Sequence, residues 1–235
     1  MINGTEKHGV TYKLKEFFLD GLREGAEIRE FYLPKDCPNF CAGCTVCFLK
    51  DEHQCKDARY IQEIEKAMLE ADLLVFVSPA YVFHASGAMK TVPDHFCYRW
   101  MPHRPVREMF GKRAVIITQC LGAGAASSAK DIKDSLSWWG VSEIRVCKFR
   151  LMSDIHREKL PEKKRAAMEQ KLHRAAEKLR RADYSKPART GLMAKGKFMA
   201  CRMIQKSVGK TKPESVDFLY WKSNGWTGRV RPWKN

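Results

Sequence analysis

Leu73-Leu74-Val75-Phe76-Val77, closed by Ser78-Pro79, is the stretch that decides the fold. A strand with no polar face must be covered on both sides, as at the centre of a parallel sheet flanked by helices. Arg113-Ala114-Val115-Ile116-Ile117-Thr118 repeats the pattern, and Ser142 to Phe149 supplies a last strand. Between these runs lie amphipathic segments of helical period. One helix is expected after Asp57, its cap, to about Glu70 through Ile61, Ile64 and Met68. A second is expected from Gly87 to about Trp100, broken or kinked at Pro93, and a third through Trp139. Upstream, Asn3-Gly4-Thr5 reads as a turn and Val10 to Glu24 as a helix burying Tyr12, Leu14, Phe17, Phe18 and Leu22. Ala26 to Leu33 reads as a strand. The alternation predicts βαβ units on a doubly wound, five-stranded parallel sheet. Only Met1 and Ile2 precede the first turn, where a strand of roughly five residues belongs. Either the true start lies upstream or the first strand is stunted.

The charge is segregated. Residues 1–143 hold 18 Lys/Arg against 19 Asp/Glu, and residues 144–235 hold 25 against 8, which accounts for the net +16. A basic C-terminal part can attract nucleic acid, an anionic surface or an acidic partner, or can be a solvated helix face. No recognition helix or aromatic RNA-binding motif accompanies it, so nucleic acid is not expected as a partner. No apolar run approaches the roughly 20 residues that span a bilayer. Nine cysteines without a secretion signal point to a reducing, cytoplasmic setting.

Four of those cysteines are spaced Cys41-x2-Cys44-x2-Cys47-x7-Cys55 in a loop opened by Pro34 and Pro38. Three thiolates at every third position can converge on one iron–sulfur cube, with a fourth further on to cap it. Zinc more often takes two separated Cys-x2-Cys pairs. Reduced thiols with no metal are the plain alternative. Cys37 is a spare thiol or a substitute ligand.

In an open parallel sheet, ligands bind beyond the carboxyl ends of the strands. Three loops there have suitable chemistry. Gly4-Thr5-Glu6-Lys7-His8-Gly9-Val10-Thr11 enters a helix and suits a single phosphate, although it lacks the dinucleotide and triphosphate fingerprints. Ser78-Pro79-Ala80-Tyr81-Val82-Phe83-His84-Ala85-Ser86-Gly87 offers backbone amides and an aromatic wall to a ring system, with His84 as a polar contact to substrate or simply exposed. Gln119-Cys120-Leu121-Gly122-Ala123-Gly124-Ala125 can lie along a ligand edge.

Ile2-Asn3-Gly4-Thr5, the Ser78-Pro79-Ala80-Tyr81 turn and Ser86-Gly87-x-Met89-Lys90 resemble the flavodoxin-like NAD(P)H-dependent FMN reductases. The cysteine loop resembles that of their iron–sulfur flavoprotein branch. The resemblance covers about residues 1–150. It implies FMN held at its phosphate by Thr5, His8, Gly9 and Thr11, with Pro79, Ala80, Tyr81, Val82, Phe83 and Gly122 bordering the flavin. It implies a four-iron four-sulfur cluster on Cys41, Cys44, Cys47 and Cys55, NAD(P)H as co-substrate, a separate electron acceptor, and a homo-oligomer. Two departures stand out. Glu6 follows Thr5 where the family has Pro-Arg after a serine, and Val10 replaces an Asn. A carboxylate at Glu6 is unfavourable beside a phosphate unless it points away. The expected activity is an FMN-dependent NAD(P)H oxidoreductase; the alternatives are a non-enzymatic electron carrier and a cluster-free flavin or quinone reductase.

The flavin domain is expected over 1–184, with the cysteine loop at 37–55, and a basic, aromatic-rich, mostly helical extension over 185–235. Pro161 to about Ala182 reads as a helix with Leu160, Met168, Leu172, Ala175, Ala176 and Leu179 in its apolar stripe. Leu192, Met193, Phe198, Met199, Met203 and Ile204 form a second amphipathic segment. Phe218, Tyr220, Trp221, Trp226 and Trp233 argue that the tail packs on the domain or on another subunit.

Overall fold

The computed structural model describes residues 1–151 and 161–234. Its sheet runs β2-β1-β3-β5-β6, all parallel: β1 Ile2–Asn3, β2 Phe31–Tyr32, β3 Leu73–Tyr81, β5 Arg113–Cys120 and β6 Glu143–Arg150. A sixth, two-residue strand, β4 (His84–Ala85), turns back antiparallel onto the end of β3. The five parallel strands are those expected, and β4 adds an antiparallel hairpin because the second loop folds back on the strand it leaves.

Helices cover both faces. α1 (Val10–Asp20) and α6 (Glu162–Arg180) lie on one, where Val10, Leu14, Phe18, Leu172, Ala176 and Leu179 pack against Val75, Val77, Val115 and Ile117. A Cβ on Gly21 would stand 2.7 Å from Cβ of Ala176, so the two helices meet where only glycine fits. On the other face α3 (Ala58–Glu70), α4 (Gly87–His95) and α5 (Ala125–Trp138) bury Ile61, Ile64, Met89, Val92, Ile132 and Leu136 against Phe76, Ala114 and Ile116. Alternate residues of β3 and β5 thus serve opposite layers, as the unbroken apolar runs required. Leu160, expected in the α6 stripe, lies outside the described residues.

The first two strands depart from expectation. β1 is two residues long, yet it pairs on both sides, Ile2 with Phe31 and Phe76, Asn3 with Tyr32 and Val77. β2 shrinks from the expected Ala26–Leu33 to Phe31–Tyr32 because an edge strand pairs only as far as its single neighbour extends. Below the short β1 a cavity of about 540 Å³ opens among Met1, Ile28, Leu73 and Val75. It faces the amino-terminal end of β3, opposite the rim where ligands bind in this architecture. α1 stops at Asp20, and Tyr12 and Phe17 are only half-buried; Lys15, not they, occupies the protected face. Its ammonium, fully sequestered, meets Glu30 at 2.7 Å, Tyr32 Oη at 2.9 Å and Glu16 at 3.0 Å. Burial alone would lower the Lys15 pKa; these bonds outweigh it and raise it. Lys15 therefore stays charged at neutral pH.

Pro93 stays inside α4, and the chain tightens afterwards into a 3-10 turn over Phe96–Arg99. Beyond α6, α7 (Leu192–Thr211) and α8 (Val216–Ser223) return to the domain. Met101, Phe110, Phe198, Cys201, Trp221 and Trp226 form a third core, with Trp233 and Tyr220 against it. The expected α7 stripe is overturned in part. Phe198 is buried, but Leu192, Met193, Met199, Met203 and Ile204 are exposed. The docked face is Ala194, Phe198, Cys201 and Gln205, spaced three and four apart, which leaves the other apolar residues on the outer side.

Candidate functional site

The three candidate loops leave β1, β3 and β5 at one rim, around the position where the strand order reverses between β1 and β3. Ser86 ties the first two together. It caps α4 by accepting from Met89 N–H, and its hydroxyl donates to the Gly4 carbonyl at 2.6 Å; Ser78 Oγ accepts from Ser86 N–H.

In the first loop, α1 begins at Gly9 without a side-chain cap and with no acidic residue in its first turn. Its leading N–H groups therefore point outward with the positive end of the helix dipole. Thr5 accepts from Lys7 N–H at 3.1 Å, His8 stacks on Tyr12 at 4.1 Å, and Gly9 forms the turn into the helix. Glu6 does not face this loop's ligand side: its carboxylate accepts from Lys35 N–H at 2.9 Å. Thr11 is buried and its hydroxyl accepts from Gln119 Nε2 at 3.0 Å. That bond joins the first loop to the third. The other amide atom, Gln119 Oε1, is buried with no partner among the described residues.

In the second loop Pro79 is buried and Ala80 half-buried, while Tyr81, Val82 and Phe83 are exposed. Val82 and Phe83 take φ of 48° and 69° at the hairpin tip. Two consecutive bulky residues in the left-handed region, one β-branched, carry strain of order 1–3 kcal/mol each, and such strain concentrates at ligand sites. Asp131 of α5 holds the hairpin, accepting from Ala85 N–H at 3.0 Å and lying 3.1 Å from Nδ1 of His84. Gly122 and Gly124 in the third loop have φ of 83° and 105°. A Cβ on Gly124 would stand 2.7 Å from Phe83 Cα. The second and third loops thus approach backbone to backbone at this point. For the FMN that the resemblance implies, Gly124→Ala is expected to push the hairpin outward and weaken binding about tenfold or more, roughly 1.4 kcal/mol; fluorescence titration with FMN measures it.

The cysteine loop leaves β2 at the same rim. Cys41, Cys44, Cys47 and Cys55 line one cavity of about 60 Å³ together with Asp57, His95 and Cys97. Thr45 and Gly43, at φ 60° and 65°, turn the loop into a one-turn helix, α2 (Val46–Leu49). All nine cysteines are free thiols. Burial, then the nearby charges of Asp57, Cys44 and Cys41, raises the Cys55 thiol, with an Asp57 backbone N–H working against them. Burial also raises Cys47, followed by Cys55 and Cys41, while Cys97 and the Arg104 guanidinium pull it down. A concentration of thiols that resist ionising together is chemistry that a bound cation reverses, since metal ligation requires thiolates.

Three members of this site were not legible beforehand. Cys97 Sγ lies 3.9 Å from Cys47 Sγ, and burial first, then Cys47, pushes it up to about 12. Asp57 was expected as the α3 cap, but makes no side-chain capping bond. Its carboxylate instead accepts from Asn39 at 2.7 Å and lies 3.3 Å from Nε2 of His95. Cys55, Asp57 and His95 bring one donor atom each within 4.8 Å of one another. Cys37 sits in the main core, outside this cavity, with its thiol pushed up to about 12 by burial, Asp57 and Cys55.

A doubly wound sheet, with ligand loops at the strand-order switch and a thiol-lined pocket on the same rim, defines a flavodoxin-like α/β protein. The family model of NADPH-dependent FMN reductase matches residues 1–153, and the chain belongs to that family. It is similar to the iron-sulfur flavoprotein of Archaeoglobus fulgidus, 26% identical over 145 residues, covering 60% of this chain and 62% of that protein. It is also similar to an iron-sulfur flavoprotein of Methanocaldococcus jannaschii, 30% identical over 94 residues, covering 40% and 47%. The chain thus spans less than two thirds of the length of these curated relatives. Among solved structures, an azoreductase from Bacillus anthracis superposes with a TM-score of 0.58 at 15% identity, over 75% of this chain and 97% of that one. A flavone reductase gives 0.58 at 14%, over 98% and 96%. At such identities the likeness is one of fold.

Proposed function

We propose that the chain is an FMN-dependent NAD(P)H oxidoreductase that delivers electrons to a separate acceptor, with an iron–sulfur cluster on its cysteine loop. The observation that carries the flavin reading is the buried, unpartnered Gln119 Oε1 where the first and third loops meet. A buried acceptor without a donor is costly, and a ligand hydroxyl such as the ribityl chain supplies one. In this reading the α1 N–H groups, Thr5, His8, Gly9 and Thr11 hold the phosphate, with Glu6 turned away. Pro79, Ala80, Tyr81, Val82, Phe83 and Gly122 border the ring system and exclude water from one side. FMN, when bound, accepts a hydride and can release electrons singly. The hydride step obliges no side chain to act as acid or base, so the work of the chain is to hold, orient and shield.

Cys41, Cys44, Cys47 and Cys55 are the proposed cluster ligands, supported by their shared cavity, their free thiols and the two relatives' names. An oligomer is part of the reading, and the exposed apolar residues of α7 support it. Free thiols throughout support a reducing compartment. Among the described residues no helix is long and apolar enough to cross a membrane.

A second reading rests on Cys55, Asp57 and His95: one sulfur, one carboxylate and one imidazole suit a single zinc ion. The visible spectrum of anaerobically purified protein, with iron, sulfide and zinc analysis, separates the readings. Flavin bands bleached by NADPH or NADH, plus iron and labile sulfide, are expected. Flavin bands with zinc and no sulfide would move the second reading ahead. Flavin that nicotinamide reduces only slowly would indicate an electron carrier. A colourless protein that refuses added FMN would overturn the whole assignment.

A further inference from the structure

Arg104 is 3% exposed and lies between the cysteine loop and the C-terminal helices. Its Nη2 donates to the Cys47 carbonyl and, at 3.0 Å, to Glu52, which stands in the loop between Cys47 and Cys55. Its Nη1 donates to Asp217 of α8 at 2.8 Å. Nε is buried without a partner among the described residues. Around it, Asp217 also meets His103 Nδ1 at 2.7 Å, and Glu52 also pairs with Arg99 at 3.0 Å, whose Nε in turn meets Glu65. Trp221 Nε1 donates to the His103 carbonyl at 2.6 Å, so α8 is also fastened one turn beyond Asp217. Residues after 153 lie outside the matched family region, and no part of the flavin reading uses them.

We infer that the C-terminal helices set the electron affinity of the cysteine-loop site, through Asp217 acting on the buried Arg104. This rests on the proposed cluster. Adding an electron to a cluster adds negative charge, so a guanidinium bonded to a ligand cysteine's own carbonyl favours the reduced form. A carboxylate that partly neutralises that guanidinium disfavours it. Both effects are felt because Arg104 is buried and Asp217 half-buried, where charges are less screened than in water. Asp217 reaches the Cys47 carbonyl and Glu52 through Arg104, while its other partner, His103, packs on Phe48 of the loop at 4.5 Å; it is a positioning residue, not a catalytic one. Purely structural support would behave differently: loosening the clamp from either side would shift the potential in the same direction.

The test is a redox titration of the intact protein followed by electron paramagnetic resonance, with iron and sulfide measured on every sample. Asp217→Asn keeps an acceptor oxygen for Arg104 but removes the charge. It is expected to favour reduction about tenfold, a rise of about 59 mV for one electron. Arg104→Gln is expected to disfavour reduction by a similar factor, and Arg104→Lys to restore most of the wild-type value. Shifts of the same sign in Asp217→Asn and Arg104→Gln, or less than about twofold change in both, would overturn the inference. If Arg104→Gln loses its iron, the sign of the Asp217→Asn shift decides alone: a rise supports the inference and a fall or no change overturns it. Wild-type protein lacking iron and sulfide would instead sink the cluster reading, and this inference with it.

Discussion

Cys44→Ser is expected to strip the proposed cluster and leave a yellow protein: FMN retained, and iron and labile sulfide reduced at least tenfold. Cys44 is the middle thiol of the triplet and is exposed, so the change removes a ligand without opening the core. A serine hydroxyl has a far higher pKa than a thiol and is a harder donor, poorly matched to iron–sulfur ligation. The flavin loops leave β1, β3 and β5, and the cysteine loop leaves β2, so loss of one site need not empty the other. Cys37→Ala is the control. That side chain is 1% exposed in the core and outside the thiol-lined cavity, so its loss should lower stability by about 1 kcal/mol without lowering iron. Cys97 gives the result a second edge. If Cys44→Ser keeps its iron while a Cys44→Ser/Cys97→Ser double variant loses it, Cys97 stands in for Cys44 in the single variant. If both keep it, the cysteine loop is not the site.

Legibility in the sequence followed how local each feature is. β3 and β5 announced themselves because a central strand is apolar on both faces whatever surrounds it. β2 did not, since its length is set by hydrogen bonding to a two-residue neighbour and not by its own composition. The thiol triplet was readable from spacing, but Cys97 and His95 enter the same cavity from the α4 region, some forty residues away in sequence. Glu6 reads as awkward for an anion from its charge alone, whereas its bond to Lys35 N–H is visible only in the fold. Asp57 looked like a cap because acidic residues before helices usually are; the buried imidazole of His95 claimed its carboxylate instead. Arg104 carried no signal at all. An arginine in a basic chain reads as surface, and only three carboxylate- or carbonyl-bearing segments converging on it make it interior.

Trp221→Ala should have the largest effect on stability, a loss of about 3–5 kcal/mol. Trp221 is fully buried, its ring stacked 4.8 Å from that of Phe198 and set edge-on to Trp226 at 5.6 Å. Truncation removes a side chain of the largest class, leaves a void among rigid rings, and strands the His103 carbonyl that accepted its N–H. The aromatic core contains Phe198 from α7, Trp221 from α8, and Met101 and Phe110 from the domain, so the loss is felt as undocking of both helices. Undocking withdraws Asp217 from Arg104. Limited proteolysis is therefore expected to cleave the variant after residue 185 under conditions that leave the wild type whole, and urea melts to show the lowered midpoint. Trp221→Phe, which keeps a ring but loses the N–H, should cost only about 1–2 kcal/mol and remain resistant. Equal midpoints for wild type and Trp221→Ala would mean that the aromatic core does not hold the extension. The coupling between tail and thiol pocket would then lack its mechanical basis, because Asp217 cannot act on a guanidinium from a helix that is free to leave.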